Sequence, residues 1–450
     1  MSAETTLDRM GDRTGPDQSD TARVSVPVSR IPAYSWYVLT LLTLISLLAS
    51  FDRSLVSVVM EPIRTEFNLS DPQLGFLAGL AFGLPFALSS LPFGYMIDRL
   101  NRRNLIACVV ALWSMITAFC GLAQNFTQLL LARMAVGSAE AGFPATQSLI
   151  SDYFPAKKRP MALGIFMSGG PTAFLLTFAL GGWVAQEWGW RAVFWMAGPP
   201  GVILSLLFFF TVREPQRGAL ESNPEAIKEP APPFLQTLKF LFAQRAFLHL
   251  FIGYALIAAS NASFWSWIGS LLIRVHGQGL RDAGLYVAVC GGLFGFVGSI
   301  LGAAAVGRLG MRGMKPVLTF IAIASMMLMP FGIAMSLAPS LNATLVLMVI
   351  VGIVKSCTPG PAQGVIISLA KTRMRGVALS LLSLAGTVLG FGVGPFITGS
   401  ISHFLGGGTA IRYGLASLFL MNLWAGLHFL AARRTVEAEL SVVNDKPAHS

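Results

Sequence analysis

Residues 129–150 read LLLARMAVGSAEAGFPATQSLI. A helix needs about 20 apolar residues to cross a bilayer, and this stretch is long and apolar enough, yet it contains Arg133 and Glu140. A charge near the bilayer centre costs roughly 2.5–3.5 kcal/mol or more, so neither side chain is expected to face lipid. At i and i+7 they share one helix face, two turns and on the order of 10 Å apart. Gly137, Pro144 and Gln147 continue that face. It reads as the wall of a water-accessible path.

The whole composition points the same way. Hydrophobic residues make up 54% and charged residues 12%, with a mean hydropathy of +0.66; a soluble domain carries charge on about a quarter of its residues. A net charge of +11 would suit a nucleic-acid partner if it formed one patch. Instead the basic residues fall in short clusters between apolar runs, the pattern that orients helices in a membrane, and no nucleic-acid partner is expected. The first apolar run, Trp36 to Phe51, continues past Asp52 to a spanning length, unlike a cleaved signal. Cys108, Cys120, Cys290 and Cys357 lie in apolar segments without CxxC spacing or a nearby His. They read as buried free thiols, with no metal or cofactor implied.

Hydropathy gives twelve spans, near 36–59, 74–97, 104–123, 127–153, 161–184, 191–212, 246–273, 283–306, 316–337, 342–369, 376–402 and 411–432. The expected fold is an all-α membrane protein of two pseudo-symmetric six-helix bundles, residues 33–212 and 246–434. A linker at 213–245, rich in Pro and Glu and holding one short surface helix, divides them. Polar tails occupy 1–32, read as disordered, and 435–450. On one side the short loops carry twelve basic residues, in the clusters Arg99, Arg102 and Arg103; Lys157, Lys158 and Arg159; Arg308, Arg312 and Lys315; and Lys371, Arg373 and Arg375. The other side has five: Arg64, Arg191, Arg274, Arg281 and Arg412. The richer side, and with it both termini, is expected in the cytoplasm. The halves repeat weakly, Arg99, Leu100 and Arg103 matching Arg308, Leu309 and Arg312, and Arg159 matching Arg375. A repeat of like orientation implies an axis along the membrane normal.

Gly94-Tyr-Met-Ile-Asp98-Arg99-Leu-Asn-Arg102-Arg103 resembles the loop motif of the major facilitator superfamily between its second and third helices, with Asn101 where the family pattern usually has Gly. Phe51-Asp52-Arg53, Gly75 to Phe82, Arg133 with Gly137-Ser-Ala-Glu140, and Ser151-Asp152-Tyr-Phe-Pro with Arg159 are similar to spinster-like transporters of that superfamily. This resemblance implies a proton-linked carrier of lipid-like substrates such as sphingosine phosphate or lysophospholipids. Asp-Arg in span 1 and Arg with Glu in span 4 also occur in carriers of organic anions. A proton-linked symporter of small carboxylates or phosphates is therefore the alternative. The expected setting is multi-pass in a bacterial inner membrane, as a monomer among membrane lipids.

Asp52 and Arg53 interrupt span 1, and Arg133 lies at a depth similar to Asp52, so an Asp52–Arg133 pair is expected. Arg53 points about 100° away around the helix, toward Glu140 or the substrate. A static polar clamp of these four residues is the competing reading. Glu140, the deeper carboxyl, is the expected proton carrier, with Asp52 the second coupling residue, because Arg does not release a proton and desolvation favours a neutral carboxyl. Substrate contacts are expected from Arg53, Arg133, Glu140, Gln147 and Lys355. Lys355 is the deep charge of the second half, and aligns opposite Ala139; a lysine snorkelling to water is the alternative. Phe264 and Trp265 in span 7, with Phe82 and Phe86, line an apolar cavity or simply pack. Gly94, Asp98, Arg99, Arg102 and Arg103 read as a cytoplasmic gate, with Asp152, Arg159 and Arg375 as partners. No GxSxG, HExxH, Walker or pore-filter motif occurs, which argues against an enzyme, an ATP-driven pump or a channel.

Overall fold

The computed structural model describes residues 31–155, 158–216, 233–371 and 374–444, with the side chains of Asp98, Val442 and Asn444 left out. Residues 1–30 of the expected tail at 1–32, residues 217–232 of the linker, residues 445–450 of the tail at 435–450, Lys157 and Arg373 lie outside the described residues. In the first half, α1 is Ala33–Phe67, α2 is Asp71–Ala78 with Leu80–Arg99, and α3 is Arg102–Cys120. Then come α4, Phe126–Glu140 with Pro144–Tyr153; α5, Arg159–Trp188; and α6, Trp190–Thr211. A linker helix, Phe234–Ala243, leads into the second half. There α7 is Arg245–His276, α8 Leu280–Gly310, α9 Met314–Leu337, α10 Leu341–Ser368, α11 Arg375–Phe404 and α12 Ile411–Ala432. Eleven of the described helices are long and apolar enough to cross a membrane. The twelfth, α4, is divided by a turn at Ala141–Phe143.

That turn has a local cause. Pro144 starts the second piece, and a proline lacks the N–H that would continue the ladder. α10 breaks in the same way before Pro359. The two helices also begin alike, Asn125 accepting from the Gln128 amide and Ser340 from the Ala343 amide, the usual role of a short polar N-cap. Counting from these caps and prolines, Lys355 stands opposite Glu140. This corrects by one residue the sequence alignment that set it opposite Ala139.

Within each half the apolar faces pack as a bundle, α1 against α5 and α3 against α6, then α7 and α9 against α12. The halves meet along α2–α11 and α5–α8. Glycines make these seams close. A methyl group added at Gly75, Gly79 or Gly83 would come under 3.0 Å from the carbonyl oxygens of Pro395, Phe391 and Thr387 respectively. On the second seam, Gly182 and Gly284 abut the carbonyls of Leu280 and Phe178 in the same way. Small residues permit such backbone approach between membrane helices. Both α8 and α11 widen into π-helical turns there, at Val287–Leu293 and Ala385–Val393. Such turns often mark functional positions.

Past α12, the segment read as a polar tail forms a further helix, Val436–Asn444. Val436 is buried, and Glu439 accepts the Ala246 amide at the start of α7 at 3.0 Å. A carboxylate suits the positive end of a helix. Of the cysteines, Cys120 and Cys357 are buried, whereas Cys108 is exposed. Its apolar segment presents it outward rather than to the core.

Candidate functional site

Between the halves lies a cavity of about 890 Å³. Its walls come from Ser46, Ser50 and Arg53 of α1, Phe86 to Ile97 of α2, Gln147 of α4, Tyr254 to Trp265 of α7, and Leu379 to Phe391 of α11. Ile97 and Leu379 belong to the ends of α2 and α11 nearest the linker, so the cavity reaches that side of the molecule.

Arg133, 1% exposed, donates from Nη1 to Asp52 Oδ1 at 3.2 Å. Thr117 donates to the other oxygen, Asp52 Oδ2, at 2.6 Å. Arg53 donates from Nε to Glu140 Oε2 at 2.6 Å. The Asp52–Arg133 pair expected from the sequence is present, and of the two directions left open for Arg53, Glu140 or the substrate, the structure shows Glu140. The two carboxylates and two guanidiniums balance in charge, as buried ions must. Yet the shell is incomplete: Arg53 Nη2, Arg133 Nε and Glu140 Oε1 are buried without a hydrogen-bond partner.

Arg53 alone of these four lines the cavity. Its guanidinium lies 5.5–5.6 Å from the ring centres of Phe82, Phe86 and Phe143, within cation–π range. Glu140, 0% exposed, sits behind it. Gln147 and Trp265 also line the cavity. Arg133, Glu140, Phe264 and Lys355 do not. Lys355 is 3% exposed inside the second bundle; its Nζ donates to the Ser260 carbonyl at 3.0 Å and lies 4.8 Å from the Phe264 ring centre. Neither snorkelling to water nor direct contact with the cavity describes it.

The far end, away from the linker, is closed by polar groups that stand in the sequence only as loop charges or isolated acids. Arg274, at the end of α7, donates to Glu61 at 2.8 Å and to Asp71 at 2.7 Å. Ser402 of α11 donates to Asp71 at 2.6 Å. Arg274, Glu61 and Asp71 side chains are 5%, 10% and 5% exposed, so this network is a dry plug joining the halves. Glu61 carried the available signal, an acid inside the apolar run VSVVMEPI.

Residues 42–395 match the family model described as Major Facilitator Superfamily. The chain belongs to that superfamily. Its fold is similar to a bacterial homologue of the human lysosomal transporter Spinster, solved in an inward-facing and unoccupied conformation, with 28% identity, a TM-score of 0.81 and coverage of 92% of this chain and 99% of that one. An MFS-type efflux pump of Mycolicibacterium smegmatis is 26% identical over 375 residues, 83% of this chain and 86% of its own. A probable galactarate/D-glucarate transporter of Bacillus subtilis is 25% identical over 308 residues, 63% of this chain and 67% of its own. The protein is a membrane transporter and not an enzyme.

On the linker side of this superfamily transporter, the expected gate residues have these partners. Arg102, buried at 3%, pairs with Asp152 and with Glu214 and donates to the Ser148 carbonyl. Glu214 also accepts the Arg103 amide at 2.8 Å; it lies just after α6, at the start of the linker, where sequence composition alone gives it no partner. Arg99 lies 3.9 Å from the Tyr95 ring centre. Arg159 donates to the Phe154 carbonyl, and Arg375 to that of Ala370. Gly94 lines the cavity mouth, and the role expected of the Asp98 side chain lies outside the described residues. The contacts described for Arg99, Arg102, Arg103 and Arg375 remain within one bundle or reach Glu214 at the start of the linker.

Proposed function

We propose that this transporter is a proton-coupled carrier of amphipathic anions, such as sphingosine phosphate or lysophospholipids, working by alternating access. The observation that carries the reading is Arg53, which faces the cavity on one side and holds Glu140 on the other. With Glu140 ionised, the four-charge centre is neutral and Arg53 is occupied. A proton on Glu140 leaves Arg53 with an unanswered charge, and an anionic headgroup in the cavity answers it. By linkage, the proton and the anion each strengthen binding of the other. Such mutual strengthening is what symport requires.

Cavity size and walls support a lipid-like substrate. About 890 Å³ lies toward the top of the roughly 300–1,000 Å³ range of small-molecule sites. Phe86, Leu91, Ile257, Trp265 and Leu384 offer apolar surface beside the single cation. The count of basic loop residues supports a cytoplasmic linker side, in both termini as well, and hence an inward-open state in the inner membrane of a bacterium. The Spinster homologue's inward-facing form agrees with that reading. A second reading, a small organic anion, draws on the galactarate/D-glucarate relative and on Ser46, Ser50, Gln147 and Asn261 in the wall. Proteoliposomes under an imposed pH gradient test both. Uptake of lysophospholipid and not of galactarate is expected; the opposite preference would replace the first reading with the second, and gradient-independent uptake of either would remove proton coupling.

A further inference from the structure

The linker helix has three faces. Thr237 and Leu241 are buried against the second bundle, 1% and 0% exposed. At about 100° per residue, Phe234, Leu235, Leu238 and Phe242 fall on the arc beside that buried edge. Lys239 and Gln236 fall on the remaining arc. Phe234, Leu235 and Phe242 are 61%, 63% and 38% exposed. A helix this apolar on a free edge needs a partner there.

The geometry points to the bilayer as that partner: we propose that the linker helix lies in the plane of the adjacent leaflet, its Phe234–Leu235–Phe242 edge among acyl chains and its Lys239, with Arg245, on anionic phospholipid headgroups. The position of Phe242 decides between lipid and a soluble protein. Its ring centre lies 5.4 Å from that of Phe247 and 5.5 Å from that of Phe251 on α7. Phe251 is six residues beyond the start of α7 at Arg245, on the order of 9 Å along the helix. The free edge of the linker helix is therefore continuous with the lipid-facing surface of α7, where Leu248 is 39% exposed. Lys239 and Arg245 are exposed at the same border, as expected of an interfacial amphipathic helix that prefers anionic lipid.

This seating bears on the transport cycle. Gln244, the residue after the helix, donates to the Leu369 carbonyl at 3.3 Å, and Lys371 lies 5.1 Å from the Phe240 ring centre. Both partners belong to the connection from α10 to α11, and α11 walls the cavity mouth. Lipid bound under the linker helix thus braces the entrance.

Spin labels on Leu235→Cys and Gln236→Cys, each in a Cys108→Ser, Cys290→Ser background, test the assignment with the full chain in nanodiscs. Oxygen is expected to relax the label at 235 more strongly than a water-soluble nickel chelate, and the label at 236 the reverse. A label at 235 that the nickel chelate relaxes as readily as the one at 236 would overturn the membrane seating and favour a soluble partner. Adding phosphatidylglycerol to phosphatidylcholine discs is expected to deepen the 235 label. Lys239→Glu with Arg245→Glu should abolish that response and lower the phosphatidylglycerol retained on purification, by roughly fivefold per cation lost. Equal depth in both lipids would overturn the headgroup assignment.

Discussion

Glu140→Gln keeps the shape of the side chain and removes its proton site. The amide cannot hold Arg53 as a carboxylate does, so the variant resembles the protonated carrier throughout the cycle. Counterflow of substrate, which needs no net proton movement, is expected to persist in proteoliposomes. Gradient-driven accumulation, about tenfold per pH unit for each coupled proton, should disappear. Pumping that survives unchanged would move the coupling elsewhere. Lys355 gives the contrasting case. It stands behind the wall formed by α7, with Phe264 and Phe419 against it, so Lys355→Met is expected to change substrate affinity by less than about threefold, within the range of a peripheral substitution. A larger loss in equilibrium binding would show that Lys355 reaches the substrate in the bound state.

At the scale of helices, the glycine seam makes the strongest claim. Gly79 faces the carbonyls of Phe391 and Gly392 across the halves, and these are backbone atoms that cannot turn aside. Overpacking of this kind costs about 1–3 kcal/mol, and only the state with α2 pressed on α11 bears the cost. Gly79→Ala should therefore lower the midpoint of thermal unfolding in this state and increase reactivity of cysteines placed at the far end. Unchanged accessibility would mean that the seam opens little during transport. Most of the helical plan was legible because bilayer length and loop charge leave few alternatives. The pairing of Arg133 with Asp52 was legible too, since deep charges at similar depth on two helices have few ways to balance; Arg53 was legible only as facing Glu140 or the substrate. The breaks were not. Pro144 and Pro359 were visible, but whether a proline kinks or divides a helix depends on packing around it. Depth was readable for Lys355, whereas its azimuth needed the cap-to-proline register of α4 and α10. The terminal helix gives no hydropathy signal because VEAELSVVN is too short and polar, and its contacts with the second bundle account for it: Val436 is buried, Glu437 pairs with Lys315 and Glu439 accepts the Ala246 amide.

The molecule as a whole is held with one end shut, and a single cation accounts for much of that. Arg274 comes from the second half; Glu61 and Asp71 come from the first; all three side chains are buried, and Glu61 is also paired with the partly exposed Arg64 at 3.1 Å. Buried pairs contribute little net stability while intact, but removing one partner costs up to about 3–5 kcal/mol; without Arg274, Asp71 loses its counter-ion and Glu61 keeps only the partly exposed Arg64. Opening the far end rehydrates Glu61 and Asp71 and relieves that cost, so Arg274→Ala should shift the population toward an arrangement open at the far end, whereas Arg274→Lys should do so less, since the ammonium keeps the positive charge although it lacks the fork that reaches both carboxylates. Paired spin labels at the far ends of α1 and α7 would read the change as a longer distance in Arg274→Ala. A surface pair would weaken with added salt, but one this buried is screened little, so the wild-type distance distribution should stay put as ionic strength rises. If Arg274→Ala left that distribution untouched, the Ser402–Asp71 bond and the glycine seam would be sufficient to keep the end closed. The three-residue plug would then be a consequence of closure rather than its cause.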